Sequence, residues 1–338
     1  MATTVNHQLR LAARPEGLPK PSDWEFTEET VGEPQEGEVV VRVDYLSLDP
    51  AMRGWMSDAR SYVPPVGIGE VMRAGGVGEV TASSHPSLSV GDPVTGLTGA
   101  QEYATVSGDA LTRIDTNLAP APVWLNTLGM PGMTAYFGLL DIGRPEPGQT
   151  VLVSGAAGAV GGAVGQIAKV KGCRAVGIAG GPEKCRHVVE ELGFDAAIDY
   201  KSENLYPAVR KHCPDGVDVY FDNVGGETLD VALAQLTRGA RVVLCGAVSQ
   251  YNATGGMRGP ANYMSLLVNR ATMTGFLVFD FADRYAEGVK DMSEWLSSGQ
   301  LKSVEDIATG GIEKFPDTLL GLFRGENLGK LVLEVNPS

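Results

Sequence analysis

Three glycines follow an apolar run in Thr150-Val151-Leu152-Val153-Ser154-Gly155-Ala156-Ala157-Gly158-Ala159-Val160-Gly161. The run reads as a buried strand, a tight turn and the start of a helix reaching about Lys171. Glycines at such a junction let the backbone approach a pyrophosphate, and the N–H groups at the mouth of the helix receive its charge. The spacing is G-x-x-G-x-x-G rather than G-x-G-x-x-G, but Ala156 and Ala157 are small enough to preserve the close approach. A second junction, Gly177-Ile178-Ala179-Gly180-Gly181-Pro182, carries no acid at its tip, and Lys184 and Arg186 follow at once. An acid there would bind the ribose 2′-hydroxyl of NADH; a lysine without one predicts a 2′-phosphate, and so NADPH.

Other residues could act at the same edge. Asn223, in Asp222-Asn223-Val224-Gly225-Gly226, closes a strand and is placed either to hydrogen-bond a cofactor or simply to make a turn. Tyr251 follows the strand Arg241–Cys245; its phenol, with a pKa near ~10, stays protonated and can donate a hydrogen bond. Tyr62, beside Pro64-Pro65, is a second candidate donor or a lining residue of a substrate cleft, or an ordinary loop tyrosine. Met130, Met133, Met264 and Phe276 offer adaptable apolar surface, although core packing accounts for at least half of such residues. The four cysteines (Cys173, Cys185, Cys213, Cys245) and four histidines (His7, His85, His187, His212) show no metal-ligand spacing. No metal site and no disulfide framework are expected.

These residues need elements to position them. Residues 1 to about 125 are β-rich, with short strands at 38–45, 70–80 and 90–96 broken by Gly, Pro and Asp, the pattern of a small barrel or sandwich. A helical segment covers 126–140. Strand candidates then recur at Val151–Ser154, Ala175–Ala179, Ala196–Asp199, Val217–Asp222, Arg241–Cys245 and Thr272–Val278. Helical stretches at 158–171, 182–192, 205–212 and 228–236 lie between them, as in a complete doubly wound dinucleotide-binding domain. After a short helix near Asp317–Phe323, the strand ending at Val335 is expected to return to the first domain. The chain thus divides into 1–125 with 303–338, and 126–302. Its 338 residues, 43% hydrophobic and 20% charged, are ordinary for a globular protein. A net charge of −14 argues against nucleic-acid or anionic-membrane partners. No stretch has signal-peptide or membrane-spanning character, so a cytoplasmic protein is expected.

Read together, the motifs resemble those of the medium-chain dehydrogenase/reductase superfamily. Within it the chain is similar to the zinc-independent alkenal/one oxidoreductases: the leukotriene B4 12-hydroxydehydrogenase/prostaglandin reductase group and bacterial NADPH-dependent curcumin reductases. The carriers are Leu46-Ser47-Leu48-Asp49-Pro50-Ala51-Met52-Arg53-Gly54, Gly129-Met130-Pro131-Gly132-Met133-Thr134-Ala135-Tyr136, the glycine turn, Gly180–Lys184, Phe221–Gly226, Cys245–Asn252 and Glu326–Lys330.

The resemblance implies an α/β protein with a GroES-like β-barrel domain and a Rossmann domain, paired into homodimers along the last Rossmann strand. It implies Gly155, Gly158, Ala159, Val160 and Gly161 beside the pyrophosphate, and Lys184 and Tyr200 on the 2′-phosphate. Asn223 and Cys245 would lie along the cofactor, with Tyr251, Phe276, Leu277, Val278 and Asn327 near the nicotinamide. Tyr62, Met130, Tyr251 and Met264 would meet the substrate, with Tyr251 and Tyr62 the catalytic candidates. The implied reaction is reduction of the C=C bond of an α,β-unsaturated ketone or aldehyde; an NADPH:quinone reductase and a non-catalytic NADPH-binding protein are the alternatives. Position 51 departs from the pattern: it is Ala where many relatives carry Tyr, removing an aromatic pocket wall.

Overall fold

The computed structural model describes residues 4–255 and 259–336. It divides after Leu125 and after Val304 into two compact units, the first made of the N-terminal part and the C-terminal segment, the second of Asn126–Val304. In the first unit, β1 (Val5–Leu11) and β2 (Trp24–Thr30) form an antiparallel hairpin. A seven-stranded sheet joins β3 (Glu38–Ser47), β4 (Gly75–Ser83), β5 (Pro93–Leu97), β6 (Tyr103–Ser107), β7 (Leu111–Arg113), β14 (Glu305–Ala308) and β15 (Lys330–Glu334).

The long β3 organises this unit. One edge pairs with β4, and the other is shared between β6, opposite Glu38–Arg42, and β15, opposite Tyr45–Ser47. Two register shifts against β4 increase its twist and wrap the sheet into a barrel-like form. Leu9, Leu46, Met52, Trp55, Phe315 and Leu333 fill the core beneath it, with Met52 and Trp55 on the one-turn α1 (Met52–Trp55) and Phe315 on α9 (Phe315–Arg324). The return of the C-terminal strand is therefore a packing requirement: Leu331, Val332 and Leu333 are all buried there.

The second unit opens with α2 (Met130–Phe137) and then alternates: β8 (Thr150–Ser154), α3 (Ala159–Val170), β9 (Arg174–Ala179), α4 (Pro182–Glu190), β10 (Ala196–Asp199), α5 (Leu205–His212), β11 (Val217–Asp222), α6 (Gly226–Leu233), β12 (Leu236–Leu244), α7 (Met264–Asn269) and β13 (Thr272–Gly275). The sheet is parallel throughout, in the order β10-β9-β8-β11-β12-β13. The direction of winding reverses between β8 and β11, and ligands of such sheets bind outside the carboxyl ends of the strands at that point.

β13 ends at Gly275 rather than running to Val278, because Phe276 turns its ring toward Phe221, with centroids 6.4 Å apart. A further helix, α8 (Tyr285–Ser297), packs Gly288 and Met292 inward.

Candidate functional site

The glycine turn has the geometry its sequence demands. Gly155 adopts φ +62°, the left-handed region that other residues avoid, and its carbonyl accepts the Gly158 N–H at 3.0 Å. Gly158 caps α3, whose first intrahelical bond runs from the Gly162 N–H to the Gly158 carbonyl. The N–H groups of Ala159, Val160 and Gly161 therefore lie in the helix's first turn, where no intrahelical acceptor exists. A side chain at Gly161 would place its Cβ 2.3 Å from the Gly155 oxygen, so only glycine lets the helix close onto the turn. This is a built cradle for a diphosphate, with the helix dipole favouring negative charge.

Beside it, the reversal point is tied by a buried polar cluster. Asp222 Oδ1 accepts hydrogen bonds from the Ser154 hydroxyl (3.0 Å), the Tyr220 hydroxyl (2.8 Å) and the N–H groups of Val224 and Gly225. The Asp222 carbonyl takes the N–H groups of Cys245 and Gly246, so one residue holds the ends of β8, β11 and β12 together. Asn223 donates its amide N–H to the Ser154 carbonyl at 2.7 Å, which leaves its Oδ1 as the group able to meet a cofactor. Burial, reinforced by the Asp222 charge, pushes the Cys245 thiol up to about 12; it stays a neutral thiol. The Tyr251 hydroxyl accepts the Ala247 N–H at 3.2 Å, which anchors the phenol over the start of the loop after β12.

At the far end of the same edge, Lys184 lies in the first turn of α4 and is partly buried. Tyr200 follows β10 directly and is exposed. No acid stands at the tip of β9; the nearby Asp199, ending β10, spends its carboxylate on the Gly181 and Lys201 N–H groups and the Ser202 hydroxyl. Those bonds, the Gly181 N–H foremost, hold its carboxyl below the usual range. Glycine turn, helix mouth and basic far end together fit a phosphorylated dinucleotide. Lys201 was not legible as part of this edge from sequence; the only signal was a basic residue directly after Tyr200.

Phe276 has its Cζ 2.4 Å from where a Cβ on Gly138 would lie, and forms edge-on contacts with Phe221 and Phe281. The ring is partly buried against these two aromatics. Leu277 is partly buried and Val278 buried, with the Val278 carbonyl accepting the Tyr285 hydroxyl at 3.1 Å. Met130 starts α2 and is partly buried, Met133 is buried with its sulfur against Gly288, and Met264 starts α7 half exposed. Of the loop Gln250–Met264, residues 256–258 lie outside the described residues.

In the first unit, Tyr62 is exposed in a loop, and Ala51 packs against the core. Asn327 is buried and donates to the Gly329 carbonyl at 2.8 Å. The motif around Asp49 has a structural basis that sequence did not expose. Lys330 of β15 is 2% exposed and donates to Asp49 Oδ1 at 2.9 Å and to the Leu48 carbonyl at 2.6 Å. Arg53 donates to the carbonyls of Gly17 and Pro15. Among the described residues, no three His, Cys, Asp or Glu side chains converge as metal ligands.

Comparison with known proteins covers both units. Residues 7–114 match the family model described as the N-terminal domain of oxidoreductase, and residues 159–297 the one described as zinc-binding dehydrogenase. The chain is 46% identical to the NADPH-dependent curcumin reductase of Escherichia coli, over 98% of this chain and 97% of the other. It is 40% identical to the NADP-dependent 2-alkenal reductase of Nicotiana tabacum, over 98% of both. The crystal structure of CurA from Vibrio vulnificus in complex with NADPH superimposes with a TM-score of 0.93 at 45% identity, over 98% of this chain and all of that one (100%).

Proposed function

Since the chain belongs to the zinc-independent medium-chain dehydrogenase/reductase family, we propose that it is an NADPH-dependent reductase of the C=C bond of α,β-unsaturated ketones and aldehydes. The observation that carries this reading is likeness over nearly the whole chain to curcumin and alkenal reductases, joined to a carboxyl edge built for a phosphorylated dinucleotide.

Gly155, Gly158, Ala159, Val160 and Gly161 cradle the pyrophosphate, Lys184 and Tyr200 take the 2′-phosphate, and Asn223, Cys245, Leu277 and Val278 border the cofactor. Phe276, partly buried, borders it at the nicotinamide end. Bound NADPH supplies the hydride. The protein's part is to position the enone, exclude water and stabilise the negative charge that develops on the carbonyl oxygen. Tyr251 is the assigned donor to that oxygen, acting directly or through the cofactor's ribose; the anchoring of its phenol by the Ala247 N–H supports the role. Cys245, held as a thiol, leaves the site without a thiolate that would add to an electrophilic enone. Tyr62, Met130 and Met264 are assigned to the substrate, and Asn327 to the nicotinamide end, on the family resemblance.

The dimer contact is assigned to the edge strand β13, where Thr272 and Thr274 are exposed, and to α7, where Leu267 and Val268 are 71% and 64% exposed. A patch of that kind beside an unpaired strand is the signature of a surface that is covered in use. No helix among the described residues is long and apolar enough to cross a membrane. The four free cysteines support a reducing compartment such as the cytoplasm.

The test follows NADPH absorbance with an α,β-unsaturated ketone, its saturated counterpart and a quinone in separate reactions, with products identified. Consumption with the enone alone, yielding the saturated ketone, is expected. Turnover of the quinone alone would replace this reading with a quinone reductase.

A further inference from the structure

We infer that Lys201, held in place by Asp199, is a second cation of the 2′-phosphate site and sets the preference for NADPH together with Lys184. The inference rests on the NADPH reading above and concerns residues to which that reading gives no role.

The loops after β9 and β10 are joined by a single carboxylate. Asp199 Oδ1 accepts the Gly181 N–H at 2.7 Å and the Lys201 N–H at 3.0 Å, while Oδ2 accepts the Ser202 hydroxyl at 2.8 Å. Asp199 itself is buried, so these bonds are shielded from water and fix both loop backbones. The consequence is seen at Gly180. A Cβ on that residue would lie 2.8 Å from Tyr200 Cε1 and 3.0 Å from Lys201 Cε, so both side chains fold back across the tip of β9. That tip is where the adenosine ribose lies in doubly wound folds. Lys201 is exposed there, and among the described residues no carboxylate stands within ion-pair distance of its ammonium.

Asp199 is therefore a positioning residue with a counterintuitive role. As a bare charge near a phosphate it would favour NADH. Its oxygens are instead saturated by two N–H groups and a hydroxyl, and its effect is to present Lys201.

Calorimetric titration of NADP+ and NAD+ into the full chain tests this without relying on turnover. Lys201→Ala is expected to weaken NADP+ binding about tenfold while leaving NAD+ within about twofold, with Lys201→Arg restoring most of the loss. Asp199→Asn is expected to weaken NADP+ as well, even though it removes a negative charge. Unchanged NADP+ binding in Lys201→Ala would overturn the inference, as would tighter NADP+ binding in Asp199→Asn, which would make the acid a simple repelling charge. If Asp199→Asn loses its cooperative thermal transition, the exposed Lys201 still decides. Equal affinity of the unaltered protein for both nucleotides would remove the NADPH reading itself, and this inference with it; a wild-type preference that Lys201→Ala leaves intact would remove this inference alone.

Discussion

Tyr251 and Lys184 are asked for different things, and their variants separate accordingly. A phenol that stabilises charge only as the reaction proceeds affects turnover, so Tyr251→Phe is expected to lower kcat about 10²-fold with NADPH affinity nearly unchanged. Full turnover in that variant, at saturating NADPH, would remove the direct role. Lys184 meets a group that does not react, so Lys184→Ala is expected to raise the KM for NADPH about tenfold, equivalent to ~1.4 kcal/mol, with little change for NADH. An unaltered cofactor preference would contradict the 2′-phosphate assignment. The Cys245 thiol, lifted to about 12 by burial beside Asp222, is expected to resist alkylation by enones at neutral pH; mass spectrometry of protein incubated with excess enone reads this directly.

At the scale of elements, what was legible followed from local pattern. The strand–turn–helix at 150–161 was readable because an apolar run, a positive-φ glycine and a close-approach glycine leave few other structures. Less was legible where tertiary packing overrides propensity. α8 was hidden by a mid-helix glycine, which is tolerated because the Met133 sulfur sits 2.6 Å from where its Cβ would be. The edge-on contact of Phe276 with Phe221 is likewise one that no local pattern encodes.

Lys330 was another such case. A lysine in a strand ordinarily reads as a solvated position, but here it is buried against Asp49, whose other oxygen accepts the Ser47 hydroxyl. This pair ties β15 to the segment following β3. Lys330→Met is expected to cost about 3 kcal/mol, because it leaves a buried carboxylate without its counter-charge, and Asp49→Leu with Lys330→Met should recover part of that. Denaturant midpoints of the single and double variants measure it; a single variant within experimental error of the parent would contradict the role.

For the whole molecule, pH and association are the readable properties. His7 on β1 is 2.6 Å from Glu102, and that hydrogen bond, aided by the charges of Glu102 and Glu28, raises its pKa above 6.5. The pair's stabilisation is fully present below the unfolded value and is lost as pH rises through the folded one. The difference in melting temperature between the parent and His7→Gln should therefore be larger at about pH 6 than at about pH 9. Light scattering should give twice the 35.6 kDa chain mass, and a charged residue in place of Leu267 should shift it toward the monomer.

The hydride of NADPH is expected to go to the β-carbon of the enone. The reaction would be run with an α,β-unsaturated ketone and NADPH carrying deuterium at both C4 positions, and the product analysed by NMR. One deuterium at the β-carbon of a saturated ketone is expected. Deuterium on the carbonyl carbon of an allylic alcohol would contradict the account, because it would make the protein a carbonyl reductase.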